Sequence, residues 1–330
     1  MYEKEKQIMK KFIAMALFSA MCVASLAGCG NSNGDGGSGD ASAEGGTEAV
    51  ASEESDWADI SAKGEMTIGM TLFAPMNYYD ENNEFVGFDT ELAQAVGEKL
   101  GIDINFVEIN WDSKEIELNS KNIDCIWNGM CSTAERQETM TLSEPYLYNT
   151  QAMVMKADRE DEIMSSVDGL TVTAEKGSTG EGKLQGTIAD DDTVEVSAME
   201  YFANSNYVAS DSMAKALMEV KAGTADVALV DSVAAYGMVG PDTDYSDMVI
   251  NVDNNFGLQE YVIGFRKGSD LEQHVSDAID ELYADGTVAQ LAEKYNLSDL
   301  LIENDAQAAT EAPEAATGET AAEAATAAAE

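Results

Sequence analysis

The sequence predicts an α/β chain of two similar lobes, each built on a mostly parallel sheet. Two observations carry this. Short apolar strands alternate with helical patterns from about residue 58 to residue 303, which is the pattern of parallel sheets with helices on both faces. The chain also echoes itself: Lys121-Asn122-Ile123-Asp124-Cys125-Ile126-Trp127 and Gly223-Thr224-Ala225-Asp226-Val227-Ala228-Leu229 each read as the end of a helix, a short turn with Asp and a buried strand. In open α/β sheets a ligand sits beyond the carboxyl ends of the strands. The loops after Trp127 and after Val230 are therefore where chemistry is expected.

The elements follow in order. Residues 66–70 read as a strand, and after a turn-rich stretch Leu92, Val96 and Leu100 mark one face of a helix. Residues 104–109, 123–127, 170–174, 193–196, 226–230 and 261–265 read as further strands, and Met213, Leu217 and Val220 line another helix. Composition narrows the function. The chain has 62 acidic against 18 basic residues and a formal net charge of −44, which repels phosphate backbones and argues against a nucleic-acid partner. With 45% hydrophobic residues it is no disordered acidic polymer. A single histidine, His274, removes most histidine-dependent catalysis and multi-histidine metal sites, and four cysteines are too few for a disulfide scaffold.

The ends stand apart from this core. Lys4, Lys6, Lys10 and Lys11 precede an apolar run over residues 12–27, too short for a comfortable membrane span but suited to a signal-peptide core. Met9-Lys10-Lys11 is the more typical start for such a leader. The run closes in Leu26-Ala27-Gly28-Cys29, which resembles the lipobox of bacterial lipoproteins, where the cysteine takes up the lipid. Residues 1–28 are thus expected to be a lipoprotein signal, and 29–57 the lipidated Cys29 with a flexible acidic Gly/Ser linker. Residues 304–330, rich in Ala, Glu and Thr without an apolar stripe, are expected to be a disordered tail.

Several motifs bear on chemistry. After Trp127 comes Asn128-Gly129-Met130-Cys131-Ser132-Thr133-Ala134-Glu135-Arg136, read as a loop entering a helix. The planar fork of Arg136 suits a bidentate grip on a carboxylate, although a surface arginine opening a helix has the same spacing. Asp231 at a strand's carboxyl end fits either an ammonium partner or a helix cap. Gly177-Ser178-Thr179-Gly180-Glu181-Gly182-Lys183-Leu184 nearly matches a P-loop, but Leu184 stands where the magnesium-binding hydroxyl is required, so nucleotide binding is rejected. Such a turn still suits a smaller anion. Asp80, Asn82, Glu84 and Glu91 have calcium-loop spacing, but Phe85 replaces the glycine of the sharp turn, and a polar hairpin is the better reading. Phe73 and Trp111 follow strands and can wall a pocket or simply join a core.

Taken in order, these pieces resemble the amino-acid-binding proteins of ABC importers, solute-binding protein family 3, from about residue 66 to residue 296. The stretches that carry the likeness are Phe73-Ala74-Pro75, Gly87-Phe88-Asp89-Thr90-Glu91-Leu92, Asn128-Gly129 with Thr133-Ala134-Glu135-Arg136, Ser143-Glu144-Pro145-Tyr146 and Gly177-Ser178-Thr179. Ala225 through Asp231, Gly264-Phe265-Arg266-Lys267-Gly268-Ser269, and Asp285-Gly286-Thr287 with Lys294-Tyr295 complete it.

The resemblance implies a two-lobed, periplasmic-binding-protein-like (type II) α/β fold with two hinge crossovers, near residues 151–156 and 258–265. Lobe 1 would comprise 58–152 and 259–303, and lobe 2 153–258. It further implies that Arg136 grips a ligand α-carboxylate, with Thr133 of the same motif beside it and Ser178 and Thr179 donating from lobe 2. Asp231 would take the α-ammonium together with the Gly129 carbonyl, and Phe73 and Trp111 would sandwich the side chain, with Met70 and Asn128 adding to a partly apolar pocket. Departures from the pattern are Cys131 where a hydroxyl is usual, Met70 where the glutamine-binding protein has an acid, and Glu175 where that protein has a lysine. Glu175 can select a polar or basic side chain. The function implied is binding without bond-making or cofactor: a monomeric receptor, anchored by Cys29 on the outer face of the membrane, that passes a free amino acid to an ABC permease. Rival readings are an exported enzyme on this fold, similar to cyclohexadienyl dehydratases, and a sensor module.

Overall fold

The computed structural model describes residues 55–191 and 193–304. The leader, Cys29, most of the linker and nearly all of the tail lie outside these residues. The chain runs through α1 (Asp56–Lys63), β1 (Glu65–Met70), a hairpin of β2 (Tyr78–Tyr79) and β3 (Phe85–Val86), α2 (Phe88–Leu100), β4 (Asp103–Glu108), α3 (Lys114–Asn119), β5 (Cys125–Cys131), α4 (Ala134–Thr139), β6 (Met140–Leu142) and β7 (Leu147–Asn149). It continues through β8 (Gln151–Lys156), α5 (Glu160–Ser165), β9 (Thr171–Glu175), α6 (Thr179–Gln185), α7 (Ala198–Tyr201), β10 (Asn206–Ser210), α8 (Met213–Ala222), β11 (Val227–Asp231), α9 (Ser232–Met238) and β12 (Met248–Asn251). After β12 come β13 (Gln259–Arg266), α10 (Leu271–Ala284) and α11 (Thr287–Lys294).

Two sheets result. The first has the order β4-β1-β5-β13-β6, with β7 also beside β13; the second has the order β10-β9-β11-β8-β12. In each, the first three strands of that order are parallel and the fourth runs antiparallel against the third: β13 on β5 and β8 on β11. The two lobes thus share one arrangement of four strands, in keeping with the sequence echo, although the antiparallel strand comes last in the chain of the first lobe and first in that of the second. All seven residues of β5 and all five of β11 are buried. Strands covered on both faces read as continuous apolar runs, which is why these two stood out in the sequence.

The hinge needs a correction. The segments expected to cross between the lobes are members of the two sheets. The crossings themselves lie just before them, at Thr150 between β7 and β8 and at residues 252–258 between β12 and β13.

Two further expectations fail. Residues 193–196 form no strand; the second-lobe edge is β10 instead, in register with β9 through Asn206↔Thr171 to Ser210↔Glu175. The linker was also drawn too long. Residues 55–57 belong to the fold: Ser55 caps α1 by accepting from the Ala58 amide at 2.9 Å, and Trp57 stacks on His274 with ring centroids 4.4 Å apart. Asp56 accepts from Arg266 Nε at 2.9 Å, while the same guanidinium donates to the Ile123 and Leu118 carbonyls at 2.7 and 3.2 Å. Arg266 thereby ties α1, α3 and the approach to β5 to the end of the return strand.

Candidate functional site

The carboxyl ends of β1, β5, β9 and β11 face one another across the gap between the lobes. A narrow cavity there is lined by Phe73, Trp111, Asn128, Gly129, Cys131 and Arg136 from lobe 1, and by Glu175, Ser178, Thr179, Met213 and Asp231 from lobe 2. Ten residues expected from the sequence meet at this point. Met70 and Thr133 are not among the lining residues. Met70 is buried in β1, and Thr133 Oγ1 caps α4 by accepting from the Arg136 amide at 3.2 Å. Met213, read only as part of an apolar helix face, was missed. It opens α8 directly after β10, a place the strand-end rule points to.

Asn128 to Cys131 are not the expected loop but the last four residues of β5. Gly129 makes this possible. Its φ is +54°, a left-handed conformation that glycine adopts without steric cost. A Cβ there would sit 2.9 Å from the Tyr261 ring and 3.0 Å from Phe73 Cζ. The backbone is pinned by Asp89, whose Oδ2 accepts from the Gly129 amide at 2.7 Å and from Tyr146 OH at 3.1 Å. Asn128 is fully used: its Oδ1 accepts from the Thr71 amide and hydroxyl at 2.9 and 2.8 Å, and its Nδ2 donates to Thr71 O and Asn77 Oδ1 at 2.8 and 2.7 Å. It clamps the chain leading to Phe73 and has no hydrogen bond left for a ligand.

Four ionisable groups are buried around the cavity. Arg136 is 5% exposed. Its NH1 donates to the Cys131 carbonyl at 2.6 Å and its NH2 to the Gly177 carbonyl at 3.2 Å. Among the described residues no carboxylate lies within ion-pair distance of it. Burial disfavours its charged form, with Cys131, Asp231 and two glutamates opposing. Asp231, 2% exposed, stands at the N-cap position of α9 without making the cap bond. Its carboxylate accepts from Gln151 Nε2 at 2.5 Å and Tyr261 OH at 2.8 Å. The capping reading of Asp231 therefore fails, and its carboxylate faces the cavity. Burial raises its pKa, and those two hydrogen bonds oppose the rise.

Glu175 and Lys114 complete the set. Burial pushes the Glu175 carboxyl up to about 8, with Asp231 adding to the rise. Burial and the Arg136 charge push the Lys114 ammonium down to about 8. Lys114 Nζ donates to the Trp111 carbonyl at 3.2 Å and, across the gap, to the Gly177 carbonyl at 3.0 Å.

Cys131 turns its thiol toward the hinge. Sγ donates to Gln259 Oε1 at 3.2 Å, an oxygen that also accepts from Asn149 Nδ2 at 2.9 Å and Gln151 Nε2 at 3.0 Å. Burial raises the thiol's pKa far above its ordinary value, so it stays protonated and unreactive. The P-loop-like segment forms a turn into α6, capped by Ser178. Lys183, its nominal phosphate ligand, is buried against Asp190 at 2.6 Å.

The gap is closed. Gly177 O receives both Lys114 and Arg136 from lobe 1, and Lys176 pairs with Asp112 at 2.9 Å. On another side, Gly237 of α9 lies against the Ala74–Pro75 backbone.

Fold and site define a two-lobed protein whose closed gap holds a cavity lined by buried Arg136 and Asp231, the class of the solute-binding proteins. The model of the bacterial extracellular solute-binding proteins, family 3, matches residues 66–298, and the chain belongs to that family. Over 290 residues it is 29% identical to the L-cystine-binding protein TcyA of Bacillus subtilis, covering 87% of this chain and 97% of that one. Among solved structures, an ABC uptake transporter substrate-binding protein from Streptococcus pneumoniae with bound histidine aligns with TM-score 0.64 at 26% identity, over 76% of this chain and 99% of that one. The ancestral amino-acid-binding protein AncCDT-1, a precursor of cyclohexadienyl dehydratase, aligns with TM-score 0.60 at 27% identity, over 73% and 99%. No helix among the described residues is long and apolar enough to cross a membrane.

Proposed function

We propose that the chain is the extracellular receptor of an ABC importer, capturing a free amino acid between its lobes and delivering it to a membrane permease. The observation that carries this is the pair of buried opposite charges, Arg136 from lobe 1 and Asp231 from lobe 2, lining one cavity without an ion pair between them. An unpaired buried charge is costly. A zwitterion supplies the missing partner to both: its α-carboxylate on the Arg136 fork, with Ser178 and Thr179 donating, and its α-ammonium on Asp231. Phe73 and Trp111 then hold the side chain between them. A ligand that bridges the lobes favours the closed form over the open one, which is what drives the hinge.

Calorimetry with free amino acids and their α-blocked derivatives tests this. At least one free amino acid should bind, and its N-acetyl and α-amide forms should bind on the order of a hundredfold or more weaker, because each leaves one buried charge unpaired. Equal binding of blocked and free forms overturns the assignment. One structural neighbour is the precursor of an enzyme, but the single histidine stacks on Trp57 outside the cleft, and the binding reading accounts for the charges without chemistry.

The membrane anchor is part of the proposal. Cys29, following Leu26-Ala27-Gly28, carries the lipid that keeps the receptor at the outer face near its permease. The Cys29→Ser variant should leave the membrane fraction for the soluble one; complete retention in membranes would refute the anchor.

A further inference from the structure

We infer that Glu175 forms a second anionic subsite that selects a ligand carrying an additional cationic nitrogen on its side chain, and this rests on the receptor reading above. The zwitterion accounts for Arg136 and Asp231 and leaves Glu175 without a task. Glu175 ends β9, is 2% exposed and lines the cavity beside Met213 and Trp111. Its Oε1 has no hydrogen-bond partner among the described residues. A carboxylate that is merely structural is satisfied by neighbours; this one leaves a buried acceptor unmet in the wall of the cavity.

The charged groups that face it are Asp231 at the end of β11, Lys114 of α3 and Arg136 of α4. Asp231 repels it. Arg136 is assigned to the ligand carboxylate. Lys114 spends two donors on the Trp111 and Gly177 carbonyls and forms no ion pair with Glu175 among the described residues. A neutral side chain would leave the carboxyl buried and uncompensated. An ammonium or guanidinium would pair with it between the faces of Phe73 and Trp111, where a cation is also favoured by the rings. With the carboxyl raised to about 8 by burial, it is largely protonated at pH 7 without ligand. Pairing with a cation requires the carboxylate, so binding should release a proton near pH 7 and tighten as pH rises from 6 to 8.

The shared chemistry, a second cationic nitrogen, occurs in basic amino acids and in two-headed ones such as cystine. Calorimetry in buffers of different ionisation enthalpy, on the wild-type chain and Glu175→Gln, separates the outcomes. The ligand pairs are arginine against citrulline, which has the same shape without the charge, and cystine against its mono-N-acetyl derivative. In the wild type the charged member of one pair should bind at least about tenfold tighter and release a proton. In Glu175→Gln that preference should collapse toward one and the proton release vanish. The pair that responds identifies the source of the cation. Tight binding of neutral amino acids over both charged ligands, or a preference unchanged in Glu175→Gln, overturns the subsite and leaves the receptor reading intact. Binding of no free amino acid by the wild type overturns both.

Discussion

Arg136→Ala is expected to weaken amino-acid binding by a factor of about a hundred or more while leaving the fold in place. The side chain is buried, and its two hydrogen bonds go to carbonyls, not to a carboxylate. Losing a buried charged partner costs a ligand carboxylate roughly 3–5 kcal/mol. The same burial makes the side chain expensive in the ligand-free protein. The ligand-free melting temperature of the variant should therefore match or exceed that of the wild type, while the ligand-induced rise disappears. Arg136→Lys keeps the charge but not the fork, and should fall between the two. Scanning fluorimetry with calorimetry reads all of these. Near-wild-type affinity in Arg136→Ala would remove the arginine from the site.

The second large effect concerns a residue that no ligand touches. Gly237→Ala should weaken binding about ten- to a hundredfold. A Cβ on Gly237 would lie 2.1 Å from the Ala74 carbonyl oxygen and 2.5 Å from Pro75 Cδ, backbone and ring atoms that cannot swing aside. Overpacking of this kind costs about 1–3 kcal/mol, and here the cost falls on the closed form alone, because opening the gap removes the clash. Replacing a helical glycine by alanine otherwise favours the helix by about 1 kcal/mol. The variant should thus be at least as heat-stable without ligand, bind more weakly, and keep a larger radius of gyration in solution scattering when ligand is added. Affinity within twofold of the wild type would mean that the contact between α9 and the Ala74–Pro75 segment is not made in the bound state.

The sequence made the buried middle of the fold legible and its margins less so. β5 and β11 were readable because strands covered on both faces are uninterrupted apolar runs. The edge strand β10 was not: four of its five residues are exposed or half-exposed, so no buried alternation marks it. Gly129 suggested a loop. The pairing of β5 with β13, more than a hundred residues later, holds Met130 and Cys131 in the sheet, with Asn128 and Gly129 at the register shift between Val262 and Gly264. In the site, Arg136, Asp231, Ser178, Thr179, Phe73, Trp111 and Glu175 lie at or just beyond strand ends, and the order of the motifs points to them. Thr133 is expected in the site from its place in the Arg136 motif; its hydroxyl caps α4, a role that favours the same residue type. Lys114, Gln151 and Gln259 belong to no motif, and only the folded chain brings them to the cleft.

The two crossings give the closure a geometry of leverage. Gln151 begins the strand after the first crossing and holds Asp231; Gln259 begins the strand after the second and receives Cys131. One charged end of the cavity therefore sits almost on the pivot, where rotation displaces atoms least. Asp112, Lys176, Gly237 and Ala74 lie farther out, where the same rotation sweeps the longest arc. Near the pivot such a rotation moves atoms least; at the outer margin it changes the outline most. The lobes amplify a small chemical event into a shape.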